Sequence, residues 1–312
     1  MKGSKDKLII GTRGSKLALW QANELSRLLK FPAELKIIKT SGDRFLDQPL
    51  QGRLEKGFFT REIEEHLLSQ DIDLAVHSLK DLPTEIDPRL TIAAYLPRGP
   101  VNDLLLIRPD GYDPEKILPL KDGCLAGATA LRRQALLRLY GPQAKPMLLR
   151  GNVPTRIRKI QEGRFGAIII AQAGVERLGL DLKNLIGYEL NPEFWLPAPG
   201  QAVIAVEARA DDEKVLRLLS GLDHQASRDA VMLERKILAN FGGGCHTAFG
   251  AYARPENGQW KISVGIEHQD LIWVQTTVVG AFEECWKHGP KTLSGMKPAD
   301  IKRQEELCRR IQ

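Results

Sequence analysis

The densest group of side chains able to do chemistry lies in Asp73–Pro83, DLAVHSLKDLP. Leu74–Val76 has the apolar character of a buried strand, and His77, Ser78, Lys80 and Asp81 crowd its carboxyl end. A general acid or base needs a carboxylate beside a cation or donor that tunes it, and Asp81 next to Lys80 meets that need. The same residues also make an ordinary ion-rich loop, and His77 reads as a structural strand-end histidine. A second group is cationic. Arg132 and Arg133 follow Gly127-Ala128-Thr129-Ala130, Arg150 precedes Arg156 and Arg158, and Arg177 sits in AGVERLG. Arginine's planar fork suits carboxylates and phosphates. Its recurrence at loop–helix junctions suits a polyanionic ligand lying across one cleft. Solvated helix faces explain Arg138, Arg158 and Lys159 well, and the glycine-flanked Arg132, Arg133 and Arg150 less well.

Two glycine loops complete the set. Gly11-Thr12-Arg13-Gly14-Ser15-Lys16 follows a strand and opens a helix, which makes it an anion site in mechanism. Simple capping by Ser15 explains it equally, and the Gly-Lys-Ser/Thr element of a phosphate-binding P-loop is absent. Phe241–Gly250, FGGGCHTAFG, puts three glycines before Cys245. That run allows close approach by another group; it also reads as a tight turn with an inert thiol. His246 is the adjacent residue, and neighbouring side chains in extended chain point to opposite faces, so no Cys–His dyad follows.

The elements that must position these loops alternate. Strands are expected at Leu8–Ile10, Leu35–Thr40, Leu74–His77, Thr91–Tyr95, Asp103–Ile107, Pro146–Leu149, Ala167–Ile170 and Val203–Glu207. Amphipathic helices are expected near 15–29, 58–69, 130–140, 154–162 and 172–178. Alternation of this kind predicts an α/β fold with mostly parallel sheets, whose ligands sit beyond the carboxyl ends of the strands. Pro/Gly-rich punctuation at 96–100 and 196–201 marks boundaries. The lone strand after Gln201 must join a sheet made earlier, so the first domain is discontinuous: 1–98 with 200–216, around a second domain at 99–199. From 217 to 312 the pattern becomes α+β. A helix near 225–240 precedes antiparallel strands, with an Asn257-Gly258 hairpin turn and a closing helix at 298–311.

Composition narrows the classes. Lys and Arg outnumber Asp and Glu by 45 to 39, which suits an anionic partner. Aromatic residues make up only 6% and do not interleave with the cations, so a single-strand nucleic-acid groove lacks its stacking platforms. No apolar run is long enough to span a membrane, and the amino-terminal MKGSKDKLII carries no signal or transit pattern, so a cytoplasmic protein is expected. The four cysteines are scattered without a CxxC, which supports neither a metal knuckle nor a thioredoxin motif.

Together the segments GTRGSKLALWQA, KTSGDR, KGFFTREIE, DLAVHSLKDLPT, LRRQALLRL, LRGNVPTRIRKI, AQAGVERLGL, LPAPGQAVIAVE and GGGCHTAFGAYA resemble the porphobilinogen deaminase (hydroxymethylbilane synthase) family, from about residue 8 to 252. The resemblance implies two periplasmic-binding-protein-like α/β domains, the first discontinuous, and a small α+β carboxyl-terminal domain. It implies a dipyrromethane cofactor joined by a thioether to Cys245. Porphobilinogen units would add to it with loss of ammonia, and hydrolysis would release hydroxymethylbilane. It implies that Asp81 is the catalytic carboxylate, protonating the departing amine and stabilising a cationic azafulvene-like intermediate. Ser78, Lys80, Thr129, Arg132 and Arg133 would hold the cofactor. Arg13, Ser15, Gln21, Arg150, Arg156, Arg177 and Gln201 would hold the substrate. No metal, nucleic acid or membrane is implied, and the expected state is a monomer. The run before the paired arginines departs from the family's hydroxyl-rich pattern, leaving only Thr129. Pro154 and His246-Thr247-Ala248 also depart. A two-lobed anion-binding protein without catalysis would explain the arginines, but would require neither Asp81 nor Cys245.

Overall fold

The structure is a computed structural model describing residues 6–41, 60–241, 248–267, 273–288, 297–298 and 308–310. They form two compact units, Met1–Gly99 with Ala202–Asp229, and Pro100–Gln201 with Ala230–Gln312. The chain opens with β1 (Leu8–Thr12), α1 (Lys16–Leu28), β2 (Ala33–Ile37), α2 (Arg61–Leu68), β3 (Leu74–Ser78) and β4 (Leu90–Tyr95). It continues through β5 (Asp103–Ile107), β6 (Leu125–Gly127), α3 (Leu131–Tyr140), β7 (Lys145–Met147), α4 (Val153–Gln161), β8 (Ala167–Ala171), α5 (Gln172–Leu178) and β9 (Ile186–Leu190). Then come β10 (Ile204–Arg209), α6 (Glu213–Ser220), α7 (Gln225–Asn240), β11 (Phe249–Glu256), β12 (Gln259–Glu267) and β13 (Trp273–Gly280). The last elements are α8 (Phe282–His288), β14 (Lys297–Pro298) and β15 (Cys308–Arg310).

In the first unit the sheet order is β2-β1-β3-β10-β4. β1 pairs parallel with β2 and β3, while β10 is inserted antiparallel between β3 and β4. The inner strands β1 and β3 read as apolar runs because both faces are covered, whereas the edge strand β2 is polar and part-exposed. Leu74 and Val76 face a core shared with Ala22 and Leu25 of α1 and with Val215 and Leu219 of α6. Ala75, between them, faces Ile63 and Leu67 of α2 on the other side, as the two-residue period of a strand requires. Arg209, at the end of β10, ties this second face together by donating to the carbonyls of Leu67 (2.9 Å) and Ile72 (2.8 Å).

The second unit holds a sheet in the order β15-β9-β5-β8-β6-β7. β6, β7 and β8 are parallel, and β5 runs against both β8 and β9. Leu105, Ile107 and Ile169 pack against Ala135 and Leu136 of α3; Leu104, Leu106 and Ile170 pack against Ile157 and Ile160 of α4. An antiparallel sheet, β11-β12-β13-β14, packs its own core against α7 through Phe249, Ala251, Val264, Leu233 and Ile237. Asn257 and Gly258 both have positive φ (50° and 78°), the backbone of a two-residue hairpin turn of the expected kind.

Two expectations change. The sheets are mixed rather than mostly parallel, because β5 and β10 each run against their neighbours, and periodicity does not report strand direction. The helix expected over 298–311 gives way at Cys308–Arg310 to a strand paired with β9. The division into 1–98 with 200–216, 99–199 and 217–312 stays a proposal: the antiparallel sheet has its own core but shares a compact unit with the six-stranded one.

Candidate active site

In the first unit, β1 and β3 are parallel neighbours, so their carboxyl ends open on the same edge of the sheet. At the first end, the Ser15 hydroxyl caps α1 by accepting from Ala18 N (3.2 Å), while Thr12 Oγ1 donates to Ala18 O (3.1 Å). These bonds bend the chain so that Arg13 and Gly14 form the tip. At the second end, β3 runs into a single 3-10 turn, Leu79–Asp81. Leu79 is fully buried and its N–H donates to Val203 O (3.0 Å). Asp81 is exposed and Lys80 half-buried on that anchored turn. Gln21, buried in α1, donates Nε2 to Ser78 Oγ (2.9 Å), tying the helix that follows β1 to the end of β3. His77 turns away into the sheet, with Nε2 3.1 Å from Glu207 Oε2.

In the second unit, the loops after β6, β7 and β8 leave adjacent parallel strands at one edge. Gly151 adopts φ +113° and has Thr155 Cγ2 2.7 Å from where a Cβ would stand, so only glycine fits there. Asn152 then caps α4 by accepting from Thr155 N (3.0 Å), with Pro154 in the first turn. Arg156 Nε donates to Gly151 O (2.7 Å) and Lys159 Nζ to Arg150 O (2.9 Å), which fastens the loop to its helix. Arg177 occupies the last turn of α5, where the helix dipole favours a cation. Thr129 spends its hydroxyl proton on Leu149 O. Ala130, at the N-cap of α3, offers no side-chain acceptor.

Arg132 and Arg133 are not solvent-facing. They are 3% and 6% exposed and converge on Asp103, which is 0% exposed at the start of β5. Asp103 Oδ1 accepts from Arg133 Nη2 (2.7 Å) and Gln201 Nε2 (3.0 Å); Oδ2 accepts from Arg132 Nη2 (2.9 Å), Arg133 Nε (3.0 Å) and Trp195 Nε1 (3.0 Å). Burial pushes the Asp103 carboxyl up, but the charges of Arg132 and Arg133, with hydrogen bonds from Arg133 and Gln201, more than reverse this and hold it well below the usual carboxylate range. Burial lowers Arg132 from its ordinary value against the pull of Asp103; an arginine stays charged nonetheless.

The structure thus gathers Gln21 and Ser78 in one place, Arg150 and Arg156 in another, and Arg132, Arg133 and Gln201 around a carboxylate. Cys245 and His246, and positions 42–59, lie outside the described residues. Sequence reasoning passed over Asp103 and Trp195, although a carboxylate opening the apolar run LLLI must find a partner when buried. It also passed over Glu234, fully buried in α7, which accepts from Gly200 N (2.8 Å) and Ala253 N (2.9 Å). Glu234 thereby binds together the elements on either side of residues 241–248. Arg138, read as solvated, pairs instead with Glu267 of β12. Cys124 and Cys285 are buried free thiols.

Comparison with known proteins extends this geometry. A family model described as porphobilinogen deaminase, dipyromethane cofactor binding domain, matches residues 8–217. A porphobilinogen deaminase of Syntrophomonas wolfei is 45% identical over 82% of this chain and 83% of its own length. One from Chlorobium luteolum is 37% identical over 98% of this chain and 95% of its own. Among solved structures, the VFT2 domain of Bordetella pertussis BvgS aligns at a TM-score of 0.41 and 15% identity, over 69% of this chain and 86% of that one, too loose an overlap to decide the fold. The family match spans both ends of the Asp81 edge and all three loops of the arginine edge, and on it the chain belongs to the porphobilinogen deaminase family.

Proposed function

We propose that the chain is a transferase that joins four porphobilinogen units head to tail on a covalently held dipyrromethane. Ammonia leaves at each addition, and hydrolysis releases the linear tetrapyrrole hydroxymethylbilane. The observation that carries the reading is Asp81, an exposed carboxylate on a turn fixed by a fully buried leucine, beside Lys80 and the Gln21–Ser78 pair. A carboxylate carried on so anchored a backbone is presented to a substrate at a fixed place, which favours electrostatic catalysis.

The residues fit the cofactor. Pyrroles bearing acetate and propionate groups are polyanions, and the Arg132–Arg133–Asp103 cluster is a buried site with one more positive than negative charge. Arg132 Nε is buried there without an acceptor. In this reading Cys245 is the tether, Ser78, Lys80, Thr129 and Arg132 hold the cofactor, and Arg13, Ser15, Gln21, Arg150, Arg156 and Arg177 hold the incoming substrate; the buried Arg133 and Gln201, turned to Asp103, Ile169 O and Val101 O, support Arg132 rather than touch a ligand. When bound, the cofactor supplies a pyrrole carbon as the priming nucleophile. Asp81 delivers a proton to the amine that leaves and stabilises the positive charge that builds on the substrate as the C–N bond breaks. Arginine forks take the carboxylates by charge-assisted hydrogen bonds. The protein works in the cytoplasm as a monomer, without nucleic acid, membrane or metal.

Ammonia release from porphobilinogen by wild type and Asp81→Ala tests this. The variant keeps the dipyrrole mass and loses at least about a hundredfold in rate. A near-wild-type rate removes Asp81 from the mechanism, and a wild-type chain that binds porphobilinogen without releasing ammonia favours the two-lobed binding protein instead.

A further inference from the structure

The five donors on Asp103 are distributed unequally in kind. Arg133 meets it fork to fork, through Nε to Oδ2 and Nη2 to Oδ1, and sends Nη1 to Ile169 O (3.2 Å). That is the closed, bidentate form of an arginine–carboxylate pair. Arg132 reaches the same carboxylate through Nη2 alone, sends Nη1 to Leu196 O, and keeps Nε–H without an acceptor. Two guanidinium groups share one carboxylate, so once Arg133 is neutralised the surplus charge belongs to Arg132. Both arginines lie in the first turn of α3, the end of a helix least favourable to a cation. An ionised carboxylate has roughly four lone-pair sites, so five donors leave Asp103 no capacity for a ligand or for water. A buried charge cluster is also a poor source of stability, since well-packed apolar residues often do as well.

We propose that Asp103 is the positioning residue of the second unit's anion site: by closing on Arg133 and taking one N–H of Arg132, it fixes Arg132 with its charge and its Nε–H directed to a ligand carboxylate. Asp103 touches no substrate in this role; it acts through Arg132. Trp195 and Gln201 fix the carboxylate in turn. The proposal rests on the reading above, in which Arg132 holds a carboxylate of the pyrrole chain.

The test is a double-mutant cycle on the holoenzyme with Asp103→Asn, Arg132→Gln and the pair. The readouts are kcat/KM for ammonia release from porphobilinogen, the fraction of protein carrying the dipyrrole mass, and the urea midpoint. Asp103→Asn lowers kcat/KM at least about tenfold, the size of one lost charge-assisted bond. In the Arg132→Gln background the same change has no further effect on kcat/KM or on the dipyrrole fraction, because its target is gone. A structural role alone would lower the midpoint and carry its full effect into both backgrounds; that additivity, or wild-type kcat/KM in Asp103→Asn, overturns the proposal. Trp195→Phe serves if Asp103→Asn does not fold. It removes one donor and no charge, and lowers kcat/KM about threefold in wild type but not beside Arg132→Gln; an equal fall in both backgrounds overturns the proposal. Wild-type kcat/KM in Arg132→Gln would instead remove Arg132 from ligand binding, and this proposal with it. A wild-type protein without the dipyrrole mass would count against the cofactor reading.

Discussion

Gly250→Ala tests how the strand that follows the cysteine segment is seated. Gly250 of β11 lies opposite Gly265 of β12. A Cβ on Gly250 would stand 2.7 Å from Leu196 Cβ, 3.2 Å from Leu196 O and 3.2 Å from Arg132 Cδ. Carbon atoms prefer about 3.5–4.0 Å, so the new methyl is about 1 Å too close to a backbone-attached carbon. Leu196 cannot retreat: it is fully buried, its carbonyl accepts from Arg132, and the next carbonyl, of Pro197, accepts from Ala251 N (3.1 Å). Overpacking of this kind costs about 1–3 kcal/mol. Alanine recovers about 0.5–1 kcal/mol of backbone entropy over glycine, leaving a net loss of up to about 2.5 kcal/mol, centred on about 1.3 kcal/mol. For an m-value near 3 kcal/mol per M, the urea midpoint falls by about 0.5 M. Circular dichroism through a urea titration reads this directly. Gly221→Ala is the comparison, since Gly221 has ordinary helical φ (−75°) and open space about it; it should be neutral or slightly stabilising. A Gly250→Ala midpoint equal to wild type would show that β11 is not wedged against Leu196 and Arg132, and the packing account of that strand would fail.

Two further substitutions probe the first unit. Arg209→Ala leaves Asp73, 2% exposed, without the nearby guanidinium and strips the donor from two backbone carbonyls, so it should cost about 3–5 kcal/mol in urea unfolding; a loss below about 1 kcal/mol would contradict the buried network. Burial pushes the half-buried Glu64 carboxyl up, aided by the charge of Glu207 and opposed by the Thr60 hydroxyl. The folded state therefore holds that proton more tightly than the unfolded chain, and stability from this group falls as pH rises from the ordinary glutamate value through the raised one. Glu64→Gln should accordingly match wild type at about pH 4.5 and melt higher at about pH 8; a gap that closes with rising pH would reverse the assigned sign.

The loops were legible because their residue types conflict with a bland role: glycines beside arginines, and a lysine–aspartate pair closing an apolar strand. Short elements were not. Leu125–Gly127 offers three residues, two of them small, and no alternation to detect. The inward turn of Arg132 and Arg133 was hidden for a different reason. Asp103, Trp195 and Gln201 lie tens of residues away in sequence, and only the register of β5 against β8, with the return of the chain near Gln201, brings them to α3. Local spacing showed that cations gather at loop–helix junctions; it carried no sign of which ones the protein keeps for itself. The lone strand after Gln201 does join the earlier sheet, between β3 and β4, but its direction depends on where the chain re-enters, which composition does not encode.

The central claim is a transferase primed by a dipyrromethane held on Cys245, and intact-mass measurement tests it most directly. Wild-type protein made in a host that synthesises porphobilinogen should carry the mass of its polypeptide plus one dipyrrole, and Cys245→Ser should carry the polypeptide mass alone. A wild-type protein at the bare polypeptide mass, or an adduct that survives in Cys245→Ser, would contradict the account.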